Sequence, residues 1–539
     1  MKTYKILAIS FLFGTFANAQ TLDEAIKKTD NERFASARTD FNALIAKEPT
    51  KADNYFYFGE NYFKNDELDS ANMMWNKGAS VDPLNALNVV GLGKYLWYKG
   101  DTTKARVQFA KAATMTKNKN AEVIRKTAEV LTYAPIKRLD EAIKLLELAI
   151  KLDGKNPESY LILGDALLEK TPRDGSPAIK NYNLALDLNP KSSKGIVRTA
   201  KLYQRARNYE LADQKYKEAQ SLDPTYAPAF RENAELNMMF NQSNKAIENW
   251  KKYIELNNST EARYRFSTSL FSAKKHCDAI NELLGVQASG FDNFYVERML
   301  TYSYYECPGD DSKTSFEKGL ATSDKFFTMV PADKVIGLDY KYKGLILGKL
   351  GKDSLAITQY EIAALKDTAI TKDMYTEIAK LYMKAKKYDN VIATFNKKMN
   401  GNPNNITPQE YYDFGKAYYF GPKNYAMADT CFSRLAERSP SYAISYFWIA
   451  RSKYKFETPT TKWLAKDNYK KFIDLLKQEE MATPAYKSFT IEACKYLGDY
   501  YINSKEYNKV ESQKYWNIVK TIDPADKQAA AFFASPHGK

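Results

Sequence analysis

The chain has 539 residues, of which 14% are aromatic and 27% carry a charged side chain. Tyrosine (40) and phenylalanine (28) are abundant, as expected where many aromatic side chains pack between helices. Only two histidines occur, His276 and His537, which excludes a histidine-based catalytic triad and a multi-histidine metal site. The formal net charge of +15 suits an acidic partner, an anionic lipid surface or nucleic acid.

The N-terminus has the features of a secretory signal peptide. Two lysines precede an apolar run over residues 6–16, and Ala17 and Ala19 are the small residues that a signal peptidase recognises. The run is too short to span a bilayer, and no cysteine lies nearby to carry a lipid anchor. We therefore predict a signal peptide over 1–19 and export to a Gram-negative periplasm, with association at the outer membrane. Export disfavours a nucleic-acid partner.

A regular sequence repeat follows. Its clearest markers are two pairs of prolines, Pro49 with Pro83 and Pro190 with Pro224, and both pairs have the same spacing of about 34 residues. The same small and aromatic residues precede the second proline of each pair in the same order: Tyr55, Phe58, Gly59, Tyr62, Ala71, Trp75 and Gly78 before Pro83, and Ala200, Tyr203, Ala212, Tyr216 and Ala219 before Pro224. The pattern resembles the tetratricopeptide repeat (TPR), a helix-turn-helix unit of that length with small residues where its two helices touch.

The spacing within a repeat has a physical cause. Tyr55, Phe58 and Tyr62 fall at i, i+3 and i+7, so they share one face of a first helix. We expect Gly59 and Ala71 where the two helices cross, because a larger side chain would hold them apart. A proline ends the second helix, since it disfavours helical geometry in the residue before it. One pair cannot bury its own apolar face, so the units must stack.

The pattern continues almost to the C-terminus, with an insertion of two residues within 171–177 and a looser register over 259–331. The resemblance implies an all-α fold, a right-handed superhelical α-solenoid of about 14 helix-turn-helix repeats. The predicted segments are the signal peptide 1–19, an N-terminal TPR array 20–258, degenerate repeats with a possible hinge 259–336, a C-terminal TPR array 337–525, and a capping helix and tail 526–539.

Four cysteines occur in this exported chain. Cys277 and Cys307 lie a little less than one repeat apart, each just beyond the first helix of adjacent units, which favours a disulfide between their turns in an oxidising compartment. Two unpaired thiols are the alternative. Cys431 and Cys494 fall on helical faces two units apart, and we expect both to be buried and free.

No motif predicts an active site. The run His276-Cys277-Asp278 contains catalytic residue types, but adjacent residues in a turn rarely point at one another as that chemistry requires. The acidic loops at 174–175 and 309–311 lack the ligand spacing of a calcium site. Glycine-rich phosphate loops and a serine elbow are absent from the sequence. We expect a non-enzymatic protein with no cofactor and no metal.

The resemblance also implies where a partner binds, because in TPR proteins the first helix of each unit lines the concave face. The positions concerned supply an aromatic and cationic groove, which suits extended or helical segments that carry acidic groups. Some of these side chains could instead pack between helices or be solvated. The predicted partner-binding residues are Phe56, Phe63, Val90, Trp97 and Tyr98 in the N-terminal units, Lys194, Lys201, Arg205, Arg231 and Arg265 in the middle units, and Tyr412, Lys416, Tyr419, Phe447, Arg451 and Tyr454 in the C-terminal units.

These features favour a scaffold or adaptor of the cell envelope, serving outer-membrane protein assembly, secretion or motility. The first alternative is a periplasmic chaperone-like factor that holds extended exported polypeptides. An enzyme whose site the sequence does not reveal and a regulatory nucleic-acid-binding protein are two further alternatives. Partners should be other proteins, with membrane association only through them.

Overall fold

The computed structural model describes residues 21–539, so the predicted signal peptide lies outside the described residues. Within that part of the chain the regular structure is helical, with 30 α-helices and no strand. Two short 3-10 helices, Ala332–Lys334 and Pro403–Asn405, lie between α-helices. The α-helices are α1 Leu22–Asp30, α2 Phe34–Lys47, α3 Ala52–Lys64, α4 Leu68–Val81, α5 Ala86–Tyr98, α6 Thr102–Met115, α7 Ala121–Tyr133, α8 Leu139–Leu152, α9 Pro157–Lys170, α10 Ser176–Leu188, α11 Ser193–Arg205, α12 Tyr209–Leu222, α13 Ala227–Met239, α14 Ser243–Leu256, α15 Thr260–Ser272, α16 His276–Ala288, α17 Phe294–Glu306, α18 Ser312–Met329, α19 Gly337–Lys349, α20 Asp353–Lys366, α21 Thr371–Lys384, α22 Tyr388–Met399, α23 Pro408–Phe420, α24 Tyr425–Arg438, α25 Ala443–Tyr454, α26 Lys466–Leu475, α27 Gln478–Met481, α28 Lys487–Asn503, α29 Lys509–Ile522 and α30 Lys527–Ala534.

Successive helices pack in pairs. Over residues 21–539 they form fourteen pairs, from α1 with α2 to α25 with α26, and then α28 with α29. The short helix α27 precedes the last pair, and α30 packs on α29. The all-α solenoid of helix-turn-helix units that the sequence predicts is confirmed, and its predicted number of about fourteen agrees with the structure.

The chain divides into two compact units. The first unit runs through Asp292, with α1 to α16 in its described part, and the second unit is Asn293–Lys539, with α17 to α30. The division falls inside the stretch 259–336, where the sequence predicts degenerate repeats. Two helix pairs, α15 with α16 and α17 with α18, occupy most of that stretch. The predicted array limits and the hinge stay predictions.

The second helix of many pairs ends two residues before a proline. Helix α4 ends at Val81 before Pro83, and α12 ends at Leu222 before Pro224. The residue between them is extended, with φ −136° and ψ 98° at Asp82 in the first case. Helical geometry is disfavoured directly before proline, so the prolines set where second helices stop, as expected from the sequence.

The turn within a pair is also repeated. One residue with a left-handed backbone lies two positions before the second helix, where it stops the first helix and redirects the chain. In the first unit these residues are Glu32, Asp66, Gly100, Arg207, Asn241 and Lys274, and in the second unit Gly351, Lys386 and Lys423. Glycine occupies only two of these nine positions, so most of the turns carry backbone strain of about 1 kcal/mol.

Candidate binding site in the first unit

The turn between α1 and α2 lies against the sixth and seventh helix pairs of the first unit. The side-chain amide of Asn31 donates to Oδ2 of Asp223 at 3.2 Å and to Oγ1 of Thr225 at 3.0 Å. The Ala227 N–H donates to the Asn31 carbonyl at 3.3 Å. Lys27 forms an ion pair with Asp223 at 3.4 Å. The beginning of the array therefore meets residues almost 200 positions later, and the first unit closes on itself.

Two carboxylates of the same turn extend this contact. Glu32 accepts a hydrogen bond from the hydroxyl of Tyr253 at 2.9 Å and pairs with Arg231 at 3.2 Å. Asp30 lies 3.4 Å from Nζ of Lys194. We call Asp30, Asn31 and Glu32 the tip of the first hairpin.

The closed first unit surrounds a pocket of about 840 Å³, here called the central pocket. Most of its lining comes from the first helices of pairs, mainly α9, α11 and α13, as the repeat architecture leads one to expect. Seven cations and five carboxylates line it, so the lining carries a positive excess. The cations are Lys64, Lys137, Lys194, Arg198, Lys201, Arg205 and Arg231, and the carboxylates are Asp30, Glu32, Asp165, Glu169 and Glu232.

Asp165 organises one side of the pocket. Its carboxylate accepts from Nε of Arg198 at 2.7 Å, from the hydroxyl of Tyr182 at 2.6 Å and from the hydroxyl of Tyr133. Burial and the neighbouring Asp165 raise the pKa of Tyr133 well above its usual value, so its hydroxyl keeps its proton. Burial alone would lower the pKa of Arg198, but Asp165 raises it. This charge pair is fixed in place before any partner arrives.

A second group of charges lies around Lys194. Its ammonium is 2.6 Å from Glu158 and 3.4 Å from Asp30, and Asp30 also pairs with Lys64 at 2.5 Å. Burial would raise the pKa of Asp30, but Lys194 and Lys64 lower it far below its usual range. Burial would also raise the pKa of Glu158, but Lys194 lowers it below its usual value. Both carboxylates therefore stay ionised at neutral pH.

The rim of the pocket is more exposed and more cationic. Lys137, Lys201 and Arg205 have side chains between 41% and 55% exposed. Lys137 and Arg205 share Glu169, at 2.5 and 3.9 Å, and Lys201 pairs with Glu232 at 3.0 Å. Three exposed cations thus share two carboxylates, which leaves the rim able to bind further anionic groups.

A buried charge network fills the neighbouring inner surface of α3, α5 and α7. Lys94 lies 3.0 Å from Glu60, and Lys126 lies 3.2 Å from Glu60 and 2.9 Å from Glu129. The Lys94 ammonium also lies 3.7 Å from the centre of the Phe63 ring. Burial would raise the pKa of Glu60, but Lys94 and Lys126 hold it below its usual value. These charges neutralise one another and support the fold rather than an open groove.

The structure corrects the aromatic strip predicted for the N-terminal units. Phe56, Val90 and Trp97 are almost completely buried, and Trp97 donates its indole N–H to the Ile136 carbonyl at 2.9 Å. Phe63 and Tyr98 are half-buried and their rings meet edge to face, with centroids 4.9 Å apart. The three buried side chains pack between helices because neighbouring pairs approach closely there, so they are not direct contacts for a partner.

Four of the five cations predicted in the middle units line the central pocket, unlike the buried residues of the aromatic strip. The structure places Lys194, Lys201, Arg205 and Arg231 together in the central pocket. Arg265 lies outside that lining, on α15, where it pairs with Glu235 and Glu261 at 2.8 and 2.9 Å. Binding of a partner by these residues stays a prediction.

The predicted partner-binding residues of the C-terminal units are also partly buried and partly accessible. Phe447 and Tyr419 are buried, which again assigns them to packing between helices. Arg451 lies 5.3 Å from the centre of the Trp448 ring and pairs with Glu492 at 3.3 Å. The half-buried or exposed members of the predicted set are Tyr412, Lys416, Arg451 and Tyr454.

No sequence signal points to the tip of the first hairpin or to Asp165. A contact between Asn31 and Asp223 depends on the total rotation from one helix pair to the next along the intervening chain, and no local sequence pattern records that total. Arg198, which sequence reasoning also missed, has one usable signal, since it lies one turn from Lys194 and Lys201 on the same helix.

Residues 21–539 contain no group of three or more His, Cys, Asp or Glu side chains that could hold a metal ion. None of the helices described is long and apolar enough to cross a membrane. Cys431 and Cys494 are buried and free, as predicted, and burial raises the pKa of each thiol to about 12. The bond between Cys277 and Cys307 stays a prediction.

The packing inside a pair identifies the repeat type. In six pairs a glycine of the first helix faces an aromatic ring of the second, half a repeat further along the chain: Gly59 and Trp75, Gly93 and Phe109, Gly164 and Tyr182, Gly344 and Tyr360, Gly415 and Phe432, and Gly498 and Trp516. A Cβ on Gly59 would lie 2.3 Å from Nε1 of Trp75, so only glycine fits. The repeat period, the paired helices and this small-to-aromatic contact together define one repeat type. The described residues therefore have the architecture of stacked tetratricopeptide-type repeats, as the sequence resemblance predicts.

No family model matches the chain. It is similar to the C-terminal part of a TPR repeat-containing protein from Cytophaga hutchinsonii, with 28% identity over 50% of this chain and 98% of that one, at a TM-score of 0.41. It is also similar to PilF of Pseudomonas aeruginosa (21% identity, 40% and 97% covered, TM-score 0.29) and to YrrB, described as a TPR protein with an unusual peptide-binding site (20% identity, 35% and 95% covered, TM-score 0.23).

Proposed function

We propose that this TPR protein is a non-enzymatic scaffold or adaptor of the bacterial cell envelope that binds extended acidic segments of partner proteins in the central pocket. The observation that carries the proposal is the cationic rim, where Lys137, Lys201 and Arg205 share only two carboxylates. Arginine and lysine at a pocket mouth attract carboxylates and set the orientation of the bound segment. TPR arrays in general act as surfaces for protein–protein interaction.

The inner walls suit a polypeptide. Tyr133, Tyr182 and Tyr226 line the pocket beside Val197 and Pro228, and a volume of about 840 Å³ lies within the range of sites that bury a ligand of several residues. Of these three tyrosines Tyr133 is the exposed one, at 42%, and its ring offers contact area to a bound segment. The buried charges of the pocket lining are already paired with one another, so a bound segment needs to pair only with the exposed cations of the rim.

The envelope location is proposed from the signal-like N-terminus alone. Outer-membrane protein assembly, secretion and motility are the machines such a scaffold would serve. The test compares the full chain with a chain that lacks the first nineteen residues, each followed by cell fractionation. We expect export of the first and cytoplasmic retention of the second, and cytoplasmic recovery of the full chain would contradict the location.

Binding is tested with a fluorescein-labelled ten-residue peptide of alternating Glu and Ala, followed by fluorescence anisotropy. The double variant Lys201→Gln/Arg205→Gln should weaken binding about fivefold to tenfold, because each exposed charge contact is worth up to about 1 kcal/mol. The matched control Lys104→Gln/Lys252→Gln removes two exposed cations from second helices, outside the pocket lining. An equal loss in both variants, or no loss in the pocket variant, would refute the proposed site.

A chaperone-like factor that holds exported polypeptides is the second candidate. The observation that favours it is Met239, which lines the pocket with its side chain 58% exposed. Exposed methionine adapts to many apolar partners. Weak, salt-sensitive binding of many unrelated unfolded peptides would support this candidate, whereas co-purification with a fixed set of envelope proteins at high salt would support the scaffold.

A further inference from the structure

The tip of the first hairpin makes the contacts that a bound acidic peptide would make. We propose that Asp30, Asn31 and Glu32 are a built-in occupant of the central pocket, and that partner segments with two carboxylates one residue apart bind by displacing this tip. The inference rests on the proposed function and names the partner segment more closely.

The contacts of the tip are those of peptide recognition. Its two carboxylates reach different cations, Asp30 to Lys194 at 3.4 Å and Glu32 to Arg231 at 3.2 Å. Between them the Asn31 carbonyl accepts the Ala227 N–H at 3.3 Å. Main-chain bonding together with charged anchors is how short segments are held in grooves, and the tip makes these contacts in a turn, with Asn31 at φ −80° and ψ 8°. The lining therefore selects an acidic residue, a residue that can donate to Asp223 and Thr225 as Asn31 does, and a second acidic residue.

Release of the tip strands no buried charge. Asp30 keeps Lys64 at 2.5 Å on the neighbouring helix α3. Lys194 keeps Glu158 at 2.6 Å, and Arg231 keeps Glu232 at 3.0 Å. A buried charge left without a partner would make opening strongly unfavourable, and each of these groups has a second partner instead. The tip can exchange with another acidic segment without breaking the fold.

A weak ion pair beside the tip also favours exchange. Lys27, which pairs with Asp223, has a side chain 68% exposed, so this contact adds little to holding the tip in place.

The test uses the full chain and a labelled synthetic peptide with the sequence of residues 27–35. In the variant Asn31→Ala/Glu32→Gln we expect the peptide to bind about tenfold tighter than to the unaltered protein, because the competing tip no longer holds its place. The matched control Asp23→Asn removes an exposed carboxylate from the same hairpin and should leave the affinity unchanged. A peptide with Asn and Gln in place of its two acidic residues should not bind.

Hydrogen exchange at the Ala227 amide reports the tip independently. Exchange should be several-fold faster in Asn31→Ala/Glu32→Gln, and also in Thr225→Val, which removes an acceptor of Asn31 without altering the tip. Thr225→Val should tighten peptide binding as well, so the test survives if the first variant does not fold. Faster exchange with unchanged affinity would overturn the inference, and so would unchanged exchange in both variants.

The two proposals can fail separately. If Lys201→Gln/Arg205→Gln weakens the Glu-Ala peptide while the tip variants leave affinity for the 27–35 peptide unchanged, the pocket binds acidic segments and the tip is only structural. If neither peptide responds to any of these variants, the proposed site itself is wrong.

Discussion

The two units are built from the same helix pair but fill their interiors differently. In the first unit, charged side chains line the inner surface from α1 to α13, and the first hairpin closes over them. In the second unit, the most extensive apolar cluster runs through α23 to α30 and contains Phe447, Trp448, Phe472 and Trp516. The repeat period therefore fixes how helices pair, while the residues on the free face of each first helix decide whether a unit becomes a charged pocket or a packed aromatic core.

The largest effects should come from truncating a core aromatic in each unit. Trp75→Ala and Phe447→Ala each remove a buried ring, which should lower the free energy of unfolding by about 3 to 5 kcal/mol. Because repeat units contact mainly their neighbours, each loss should speed amide exchange within its own unit. Hydrogen exchange measured by mass spectrometry checks this, and equal acceleration of both units by either variant would contradict the local account.

The next largest effects should come from breaking one buried ion pair in each unit. Lys398→Met leaves the buried carboxylate of Glu410 without a charged partner and should cost about 3 kcal/mol in denaturant unfolding. Lys94→Met should cost less, because Glu60 keeps Lys126 at 3.2 Å. Adding Glu410→Gln should restore most of the loss, because Lys398 and Glu410 form an isolated pair. Adding Glu60→Gln should restore less, since Lys126 then also loses a partner. Equal recovery in both units would show that the charges of the first unit do not act as a network.

Acid should destabilise the first unit more than the second. In the first unit the pKa values of Asp30, Glu60 and Glu158 are lowered, because their lysine partners outweigh burial. A carboxyl group whose pKa is lowered on folding adds stability at pH values above its pKa in the unfolded chain, which is near 4.5 for glutamate. That stability is lost as the pH falls below this value. The protection factors of amides in the first unit, which correct for the pH dependence of exchange itself, should fall below about pH 4.5.

In the second unit burial raises the pKa values of Asp413, Asp429 and Asp499 above the usual 3.8. A raised carboxyl pKa favours the folded state as the pH falls through that raised value, so these groups partly compensate for Glu410, whose pKa is lowered. Protection factors measured at pH 7 and pH 4 should therefore fall less in the second unit than in the first. The reverse order would contradict this assignment of charges.

The smallest effects concern the strained turns that both units share. Arg207→Gly in the first unit and Lys386→Gly in the second relieve a left-handed backbone at φ 61° and 55°. Relief of about 1 to 2 kcal/mol exceeds the added freedom of glycine in the unfolded chain, about 0.4 to 1 kcal/mol, so each variant should gain up to about 1 kcal/mol in thermal unfolding. Destabilisation by either variant would show that its side chain, rather than the turn geometry, is needed there.

The sequence predicts the pairing of helices well, because Pro83, Pro224 and the Gly59–Trp75 contact each act within one repeat. It predicts the inner surface poorly. Phe56 and Trp97 occupy positions that line the groove in the repeat consensus, yet close approach of neighbouring pairs buries them. The contact of Asn31 with Asp223 lies beyond any local pattern, because it results from the accumulated rotation of the intervening pairs.

Site-specific photo-crosslinking in intact cells tests most directly the claim that the central pocket of the first unit is where partners bind. A photoreactive amino acid replaces Met239, which is exposed in the pocket, and in a control chain replaces Leu365, which is 85% exposed in the second unit. We predict that position 239 yields a discrete set of adducts whose crosslinked segments, identified by mass spectrometry, are acidic, and that Lys201→Gln/Arg205→Gln reduces them. Adducts at position 365 with none at position 239 would contradict the account.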